Sequence, residues 1–352
     1  MILKIGFFAT TLPSFTDSYK RLFVMRILSG IQPSGQLHLG NYFGAIYNWV
    51  RLQNKGEECF FFLADLHAQT VPYEAATRPG IILELAATLM ACGIDPHKSV
   101  LFVQSQVPAH TQLSWILSCL APFGELERMV QFKEKSEAAP HAVNVGLFTY
   151  PILQAADVLL YRPDMVPVGI DQAQHLELTR TLAHKFNNRF CPADAPLFKE
   201  PKTLHSTTIK VLGLDGQRKM SKSFNNYIGL TEPEDVLWEK LRHAATDPAR
   251  VKRTDPGNPD ICNVFSWHKL FSPIEVQEDR AAGCRSAAIG CIDCKKTLFT
   301  HMNALLAPIR EKYHVLMQRP DDIRDALEAG AKRARGVADA TMETVYKLVG
   351  GL

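Results

Sequence analysis

The chain has 352 residues, enough for about two domains and for a core that needs no disulfide staples. Hydrophobic residues make up 46% and charged residues 21%, a globular balance that excludes a disordered, collagen-like or disulfide-scaffold protein. Thirty-nine Lys and Arg against 36 Asp and Glu leave a formal charge of only +3, so contact with a polyanion must come from local basic patches.

Residues 1–24 open with Ile2, Leu3, Ile5, Phe7 and Phe8 and then turn polar. Their charged start is weak and no clear small-residue cleavage site follows, and they read as an extension ahead of a natural start at Met25, with a transit peptide as the alternative. No apolar run reaches the ~18 residues that span a bilayer; Gly80 to Ile94 is interrupted by Glu84. The expectation is a cytoplasmic protein without membrane attachment, in a compartment that disfavours disulfides.

Arg26 to Ile31 predicts a strand, broken by Gln32-Pro33-Ser34-Gly35. Helical spacing follows at Leu39, Tyr42, Phe43, Ile46, Trp49 and Val50. Cys59 to Ala64 is a strand-length apolar run, Glu74 to Ala91 is helical, and Ser99 to Val103 is a strand again. Thr149 to Tyr161 and Asp171 to Asn187 predict helices around an extended Met165 to Val168. After about residue 230 strand signals vanish, and from Leu298 onward the pattern is helical. Alternating strands and helices with near-continuous apolar strands predict an α/β fold, a Rossmann-like parallel sheet covered on both faces, followed by an all-α domain.

His38-Leu39-Gly40-Asn41 opens a helix just after the first strand. That is where α/β sheets bind phosphates, at strand carboxyl ends against free helix N–H groups. In isolation such a string reads as a tight turn with a polar cap. A second string, Lys219-Met220-Ser221-Lys222-Ser223, has two lysines bracketing a serine in a polar loop, which suits a polyphosphate clamp. Their joint occurrence in this order points to a nucleotide site.

With these two signatures the chain resembles a class I aminoacyl-tRNA synthetase. Finer strings resemble the tryptophanyl branch: Gly30-Ile31-Gln32-Pro33-Ser34-Gly35, Gly124 to Met129, Gln131 to Ser136, Ala155-Ala156-Asp157-Val158-Leu159-Leu160-Tyr161, and Val166 to Arg180 with Gly169, Asp171, Gln172 and His175. The likeness runs from about residue 26 to the end. It implies that L-tryptophan, ATP with Mg2+ as counter-charge, and tRNA(Trp) are the substrates, and that the protein is a homodimer. It also implies a catalytic domain over 25–223, a helical anticodon-binding domain over 224–335, and a terminal helix over 336–352 that packs back on the catalytic domain.

The resemblance assigns His38, Gly40 and Asn41 to adenosine and phosphate, and Lys219 and Lys222 to the β- and γ-phosphates with Met220, Ser221 and Ser223. Gln32, Ser34, Gly169, Asp171, Gln172 and Lys133 complete the expected ATP site. Substrate choice falls to Asp157, because an indole offers one N–H donor and no acceptor. Gly30, Tyr150, Gln154, Val166, Val168 and His67 would line that pocket. Without the family context Asp157 is equally well an ordinary paired carboxylate and His67 a structural imidazole. Tyrosyl-tRNA synthetase is the nearest rival, since Gln154-Ala155-x-Asp157 suits a phenol too. A nucleotidyltransferase that binds no tRNA and a non-catalytic RNA-binding or redox-sensing paralog are the other classes.

Of the eight cysteines, Cys59, Cys92, Cys119 and Cys191 are scattered, whereas Cys262, Cys284, Cys291 and Cys294 fall in one stretch. A pair two residues apart with two more nearby can offer four thiolates to one centre. Four unconnected buried cysteines is the plainer alternative. Zinc usually takes two short knuckles and only one is present, so a [4Fe–4S] cluster fits the uneven spacing better, with Zn2+ as the alternative. Some bacterial members of the family carry such a cluster on a similar pattern, one residue longer in the first gap. Lys219–Lys222, Arg250–Arg253, Arg285 and Lys295–Lys296 are the basic groups expected to meet tRNA.

Overall fold

The computed structural model describes residues 24–138, 141, 143–169, 172–205 and 211–351. The extension read at the start of the chain lies outside them but for Val24, as does Asp171.

Among the described residues five strands form one sheet in the order β3-β2-β1-β4-β5: β1 (Arg26–Ile31), β2 (Glu58–Leu63), β3 (Val100–Val103), β4 (Met165–Val168) and β5 (Lys202–His205). Every neighbouring pair is parallel, with Ile27 opposite Cys59 and Met165. Parallel strands need crossovers, and helices supply them on both faces. Between β1 and β2 lie a short turn α1 (Leu39–Asn41), a π-helical stretch Tyr42–Ile46 and α2 (Tyr47–Asn54). The helix expected from Glu74 is a 3-10 turn, Ala75–Thr77, followed by α3 (Arg78–Ala91) with Pro79 in its first turn. After β3 come α4 (Ala109–Ser118), α5 (Phe123–Glu127), α6 (Val130–Ala138) and α7 (Val145–Tyr161), and α8 (Ala173–Phe190) links β4 to β5. The pattern analysis did not anticipate β5, a short edge strand in which Leu204 is the single large apolar residue.

Side chains alternate across each strand, so one sequence feeds two cores. Phe61, Leu63 and Leu101 pack on one face with Trp49, Leu85 and Leu89, while Phe60, Phe62 and Phe102 pack on the other with Leu113, Leu159 and Leu182. Trp49 stacks on Phe61 with centroids 4.7 Å apart.

Beyond residue 230 the chain is helical: α9 (Glu234–His243), α10 (Asn263–Phe271), α11 (Ile274–Arg285), α12 (Cys291–Met317) and α13 (Pro320–Val349). Trp267, Leu298, Met302 and Leu306 of these helices join the first core, and α12 packs on α3. Helix α13 crosses to the second core, burying Ala331, Ala334, Ala338, Met342 and Val345 beside α7 and β3. Its approach is so close that a Cβ on Gly330 would lie 1.8 Å from the Leu101 carbonyl oxygen. Arg335 adds a 2.9 Å bond from Nη1 to the Gln106 carbonyl.

Two glycines of α13 therefore have opposite sensitivities. Gly330→Ala should destabilise the protein by about 1–3 kcal/mol, because a backbone carbonyl cannot yield to the new methyl. Gly336→Ala, with nothing within 4 Å of its added Cβ, should stabilise by about 0.5–1 kcal/mol. Denaturant unfolding of the two variants checks both signs.

Candidate active site

The strand order reverses direction between β1 and β4, and the carboxyl ends of β1, β2 and β4 open there onto a cavity of about 360 Å³. Leu28, Ser29, Gly30 and Gln32 come from β1 and its exit, Phe62, Ala64 and His67 from β2 and its exit, and Val166 from β4. Tyr150, Gln154, Asp157 and Val158 project from α7, with Gln131 from α6 and Gln172 from the approach to α8. Gly30 is required here: a Cβ would fall 2.4 Å from the Phe62 ring, which forms one wall.

Asp157 is the one acidic side chain in this lining, and it is 1% exposed. Among the described residues three donors reach it. His67 Nε2 lies 2.7 Å from Oδ2, while Gln104 Nε2 at 2.7 Å and His110 Nδ1 at 2.6 Å meet Oδ1. Burial alone would raise this carboxyl, but the charge of His67 and the hydrogen bonds from His110 and His67 outweigh it and hold Asp157 below the usual carboxylate range. An ionised acceptor thus sits in a pocket of mixed lining, with Leu28, Phe62, Ala64, Val158 and Val166 on its apolar walls and Ser29, Gln32, Gln131, Gln154 and Gln172 among its polar groups. At the other wall Tyr150 donates from its hydroxyl to Gln131 Oε1 at 3.0 Å and lies 3.0 Å from His175 Nε2, and Gln154 donates to Gln172 Oε1 at 3.2 Å.

Eight of the residues singled out from the sequence therefore share one cavity: Gly30, Gln32, His67, Tyr150, Gln154, Asp157, Val166 and Gln172. Val168 ends β4, and Gly169 closes a turn by accepting the Gln172 N–H at 3.0 Å. Lys133 is exposed on α6. Sequence reasoning passed over Gln104 and His110 and gave no role to Tyr161, the groups behind Asp157.

The second part of the site lies beside it. The segment Leu37–Leu39 pairs with Ile228–Leu230: Leu39 N–H donates to the Ile228 carbonyl at 3.0 Å and Leu230 N–H to that of Leu37 at 2.9 Å. This pairing brings the two signature strings together across some 190 positions. Lys222 reaches Ser34, donating to its carbonyl at 2.6 Å and to Oγ at 3.1 Å. His38 is buried, and its Nδ1 has no partner among the described residues. Burial, and then the charges of Lys222 and Lys219, push its imidazole down to about 4, so at neutral pH it is an uncharged ring. Gly40 keeps the space beside that ring clear, since a Cβ there would lie 2.9 Å from it. Asn41 Oδ1 accepts the His38 N–H at 3.1 Å, which fixes the helix start. Met220 is buried in the first core, Ser221 Oγ accepts the Ser223 N–H at 3.3 Å, and Lys219 and Ser223 are exposed.

Residues 23–307 match the family of class I tRNA synthetases for tryptophan and tyrosine. The chain is 50% identical to the tryptophan–tRNA ligase of Deinococcus radiodurans over 331 residues, 93% of this chain and 99% of that protein. It is 44% identical to that of Thermotoga maritima over 328 residues, 92% and 98% of the two. The crystal structure of tryptophanyl-tRNA synthetase from Campylobacter jejuni complexed with ADP and tryptophan superposes with a TM-score of 0.85 at 38% identity, covering 93% of this chain and all of that one. The chain belongs to the class I tryptophanyl-tRNA synthetases. Tyrosyl-tRNA synthetase from Archaeoglobus fulgidus shares the fold alone, at 21% identity and a TM-score of 0.62, so the tyrosyl alternative is not favoured.

In this synthetase the four clustered cysteines sit at converging helix ends. Cys262 precedes α10, Cys284 is in the last turn of α11, and Cys291 and Cys294 are in the first turn of α12. Burial and the neighbouring Cys262, Cys284 and Cys291 thiols push the Cys294 thiol up to about 12. His268 Nε2 lies 3.3 Å from Cys294 Sγ, and Arg250 Nη1 lies 3.8 Å from Cys284 Sγ. Among the described residues no three His, Cys, Asp or Glu side chains are gathered closely enough to count as a metal site. Two of the basic groups expected to face tRNA are also used internally. Arg250 donates to the Arg253 and Ile289 carbonyls at 2.9 and 2.7 Å, and Lys295 to those of Arg242 and Ala244 at 2.8 and 2.7 Å, ending α9. Arg285 pairs with Asp260, and Lys296 and Arg253 remain exposed. Among the described residues no helix is long and apolar enough to cross a membrane.

An NMR titration of the imidazole protons checks the electrostatics of the phosphate end. His38 should titrate near pH 4, far below the ordinary ~6.5. Since the unfolded chain binds this proton more readily, His38 makes folding less favourable as pH falls from about 6.5 through about 4, and has no such effect above. A midpoint at the ordinary value would contradict the placement of the ring between burial and two lysines.

Proposed function

We propose that the protein activates L-tryptophan with ATP, forming tryptophanyl-adenylate and pyrophosphate, and then transfers tryptophan to tRNA(Trp). The observation that carries this reading is the juxtaposition of a cavity containing one ionised carboxylate with a neutral histidine and two lysines, one of which reaches Ser34 beside Gln32 of the cavity lining. Activation needs no general base, because the amino acid's carboxylate is already a nucleophile at neutral pH. It attacks the α-phosphorus, the bond to the bridging oxygen breaks, and pyrophosphate leaves. The protein's share is positioning and charge stabilisation.

Asp157 accepts the indole N–H, Gly30, Val166 and Val168 flank the ring, and His67 completes the ring's polar surroundings. Tyr150, Gln154, Gln172 and Gln32 hold the α-amino and carboxylate ends. His38, as a neutral donor, meets the phosphate region as charge moves onto the leaving group, and Gly40 and Asn41 shape the adenosine side. Lys222 gives up Ser34 and, with Lys219, neutralises the β- and γ-phosphates, while Ser221, Ser223, Ser34, Lys133, Gly169 and Asp171 complete the nucleotide contacts. Mg2+ enters as the counter-ion of ATP.

Residues 25–223 form the catalytic unit and 224–335 the anticodon-binding one. Cys262, Cys284, Cys291 and Cys294 would be the ligands of a [4Fe–4S] cluster that stiffens the latter. Supporting this are the donor set of four thiols and the electrostatic reach of three of them to the fourth. Two chains associate through an apolar face of α4, α5 and α7 where Trp115, Phe123 and Val145 are exposed.

Three measurements test these assignments. Tryptophan should drive ATP–pyrophosphate exchange, and Lys222→Ala should lower its kcat by about 10²–10³; exchange driven by tyrosine but not tryptophan would overturn the reading. Anaerobic purification should give brown protein with about four iron and four sulfide per chain, whereas colourless protein with one zinc would replace the cluster. Trp115→Glu should convert a dimer into a monomer in sedimentation equilibrium.

A further inference from the structure

Behind the cavity wall lies a second layer of polar groups that the reaction does not use. Gln104, His110 and Tyr161 are each 0% exposed, and none of them lines the cavity. They belong to three separate elements: the 3-10 turn after β3, the start of α4 and the last residue of α7. The ring of His110 is enclosed by those of Phe62, Phe102 and Tyr161, with centroids 5.5–6.1 Å away. A polar network buried this deeply persists only when each member is paired, and here the pairing runs in one direction.

The Gln104 amide has its orientation fixed, because Oε1 accepts the Leu66 N–H at 3.2 Å and Nε2 is thereby turned to Asp157 Oδ1. The same Oδ1 receives His110 Nδ1. For Nδ1 to donate from a neutral ring, Nε2 must carry the lone pair, and Tyr161 Oη, 2.9 Å away, is the group that donates to it. Burial, with Asp157 nearby, keeps the Tyr161 hydroxyl protonated and so available as that donor. A carboxylate has about four acceptor positions. Two on Oδ1 are taken by Gln104 and His110, and one on Oδ2 by His67, a cavity residue.

We propose that His110 and Tyr161 are positioning residues for substrate selection: with Gln104 they saturate Oδ1 of Asp157 and leave a single acceptor position on Oδ2 for one N–H of the bound amino acid. The inference rests on the reading of Asp157 as the group that meets the substrate ring. Tyr161 acts at two removes, by fixing the His110 tautomer. Without its hydroxyl the proton can move to Nε2, and a nitrogen lone pair then faces the carboxylate. The carboxylate turns toward other donors, and its free acceptor position no longer faces the cavity.

The test compares tryptophan with its benzothiophene isostere, in which sulfur replaces the indole N–H, in ATP–pyrophosphate exchange by the full-length enzyme. Wild type should prefer tryptophan by about 10²-fold or more in kcat/KM. Tyr161→Phe and His110→Leu should reduce that preference at least tenfold, through the KM for tryptophan and with the KM for ATP unchanged. His110→Gln, whose amide also donates, should recover part of it. Wild type that does not discriminate would overturn the reading of Asp157 itself. Wild type that discriminates, with folded Tyr161→Phe and His110→Leu variants that discriminate equally, would overturn the positioning roles alone. Nitrogen-15 NMR of histidine-labelled wild type supplies a check that needs no variant: His110 should carry a proton on Nδ1, and a ring protonated at Nε2 alone would overturn the proposal.

Discussion

The side chain on which the site depends is a carboxylate held in its charged form almost without water. Burying Asp157 unpaired would cost several kcal/mol, so its ionised state obliges the fold to deliver donors to it. His67 arrives from the exit of β2, Gln104 from the exit of β3 and His110 from the start of α4, while Asp157 itself stands on α7. The parallel sheet is what makes this convergence possible, since consecutive strands end on the same edge and their exits meet above it. Gly30, by admitting the Phe62 ring, and Tyr161, by closing the far end of α7, belong to the same constraint.

The phosphate end follows a different logic. There the protein gathers positive charge and keeps the neighbouring histidine neutral, so that the ring acts through its hydrogen-bonding atoms rather than through charge. Lys222 is held on Ser34 by two hydrogen bonds, both replaceable by phosphate oxygens. The two signature strings of this end are joined by the pairing of Leu37–Leu39 with Ile228–Leu230, a contact of backbone groups that owes nothing to the side chains doing the chemistry.

Much of this was legible in the sequence because it is local. Strands β1 to β4 are apolar runs of the right length, and the strings around His38 and Lys219–Ser223 mark themselves by residue type. What was not legible is contact at long range. His110 and Gln104 meet Asp157 across 47 and 53 positions, and nothing in their immediate neighbours marks them. The strand β5 is short and carries little apolar signal. Charge misled in the opposite direction: Arg250 and Lys295 read as surface cations, yet each is spent on buried backbone carbonyls that no residue pattern reveals. The four cysteines were visible as a cluster in sequence, and the structure brings them to neighbouring helix ends without closing them on one point.

The central claim is that a charged acceptor, rather than the shape of the cavity, selects the ligand. The most direct measurement is the equilibrium affinity for tryptophan of Asp157→Asn, which keeps the shape and removes the charge. The expected result is a Kd raised about 10- to 100-fold, the ~1.5–3 kcal/mol that a hydrogen bond to a charged group contributes. An unchanged Kd in a folded variant would contradict it.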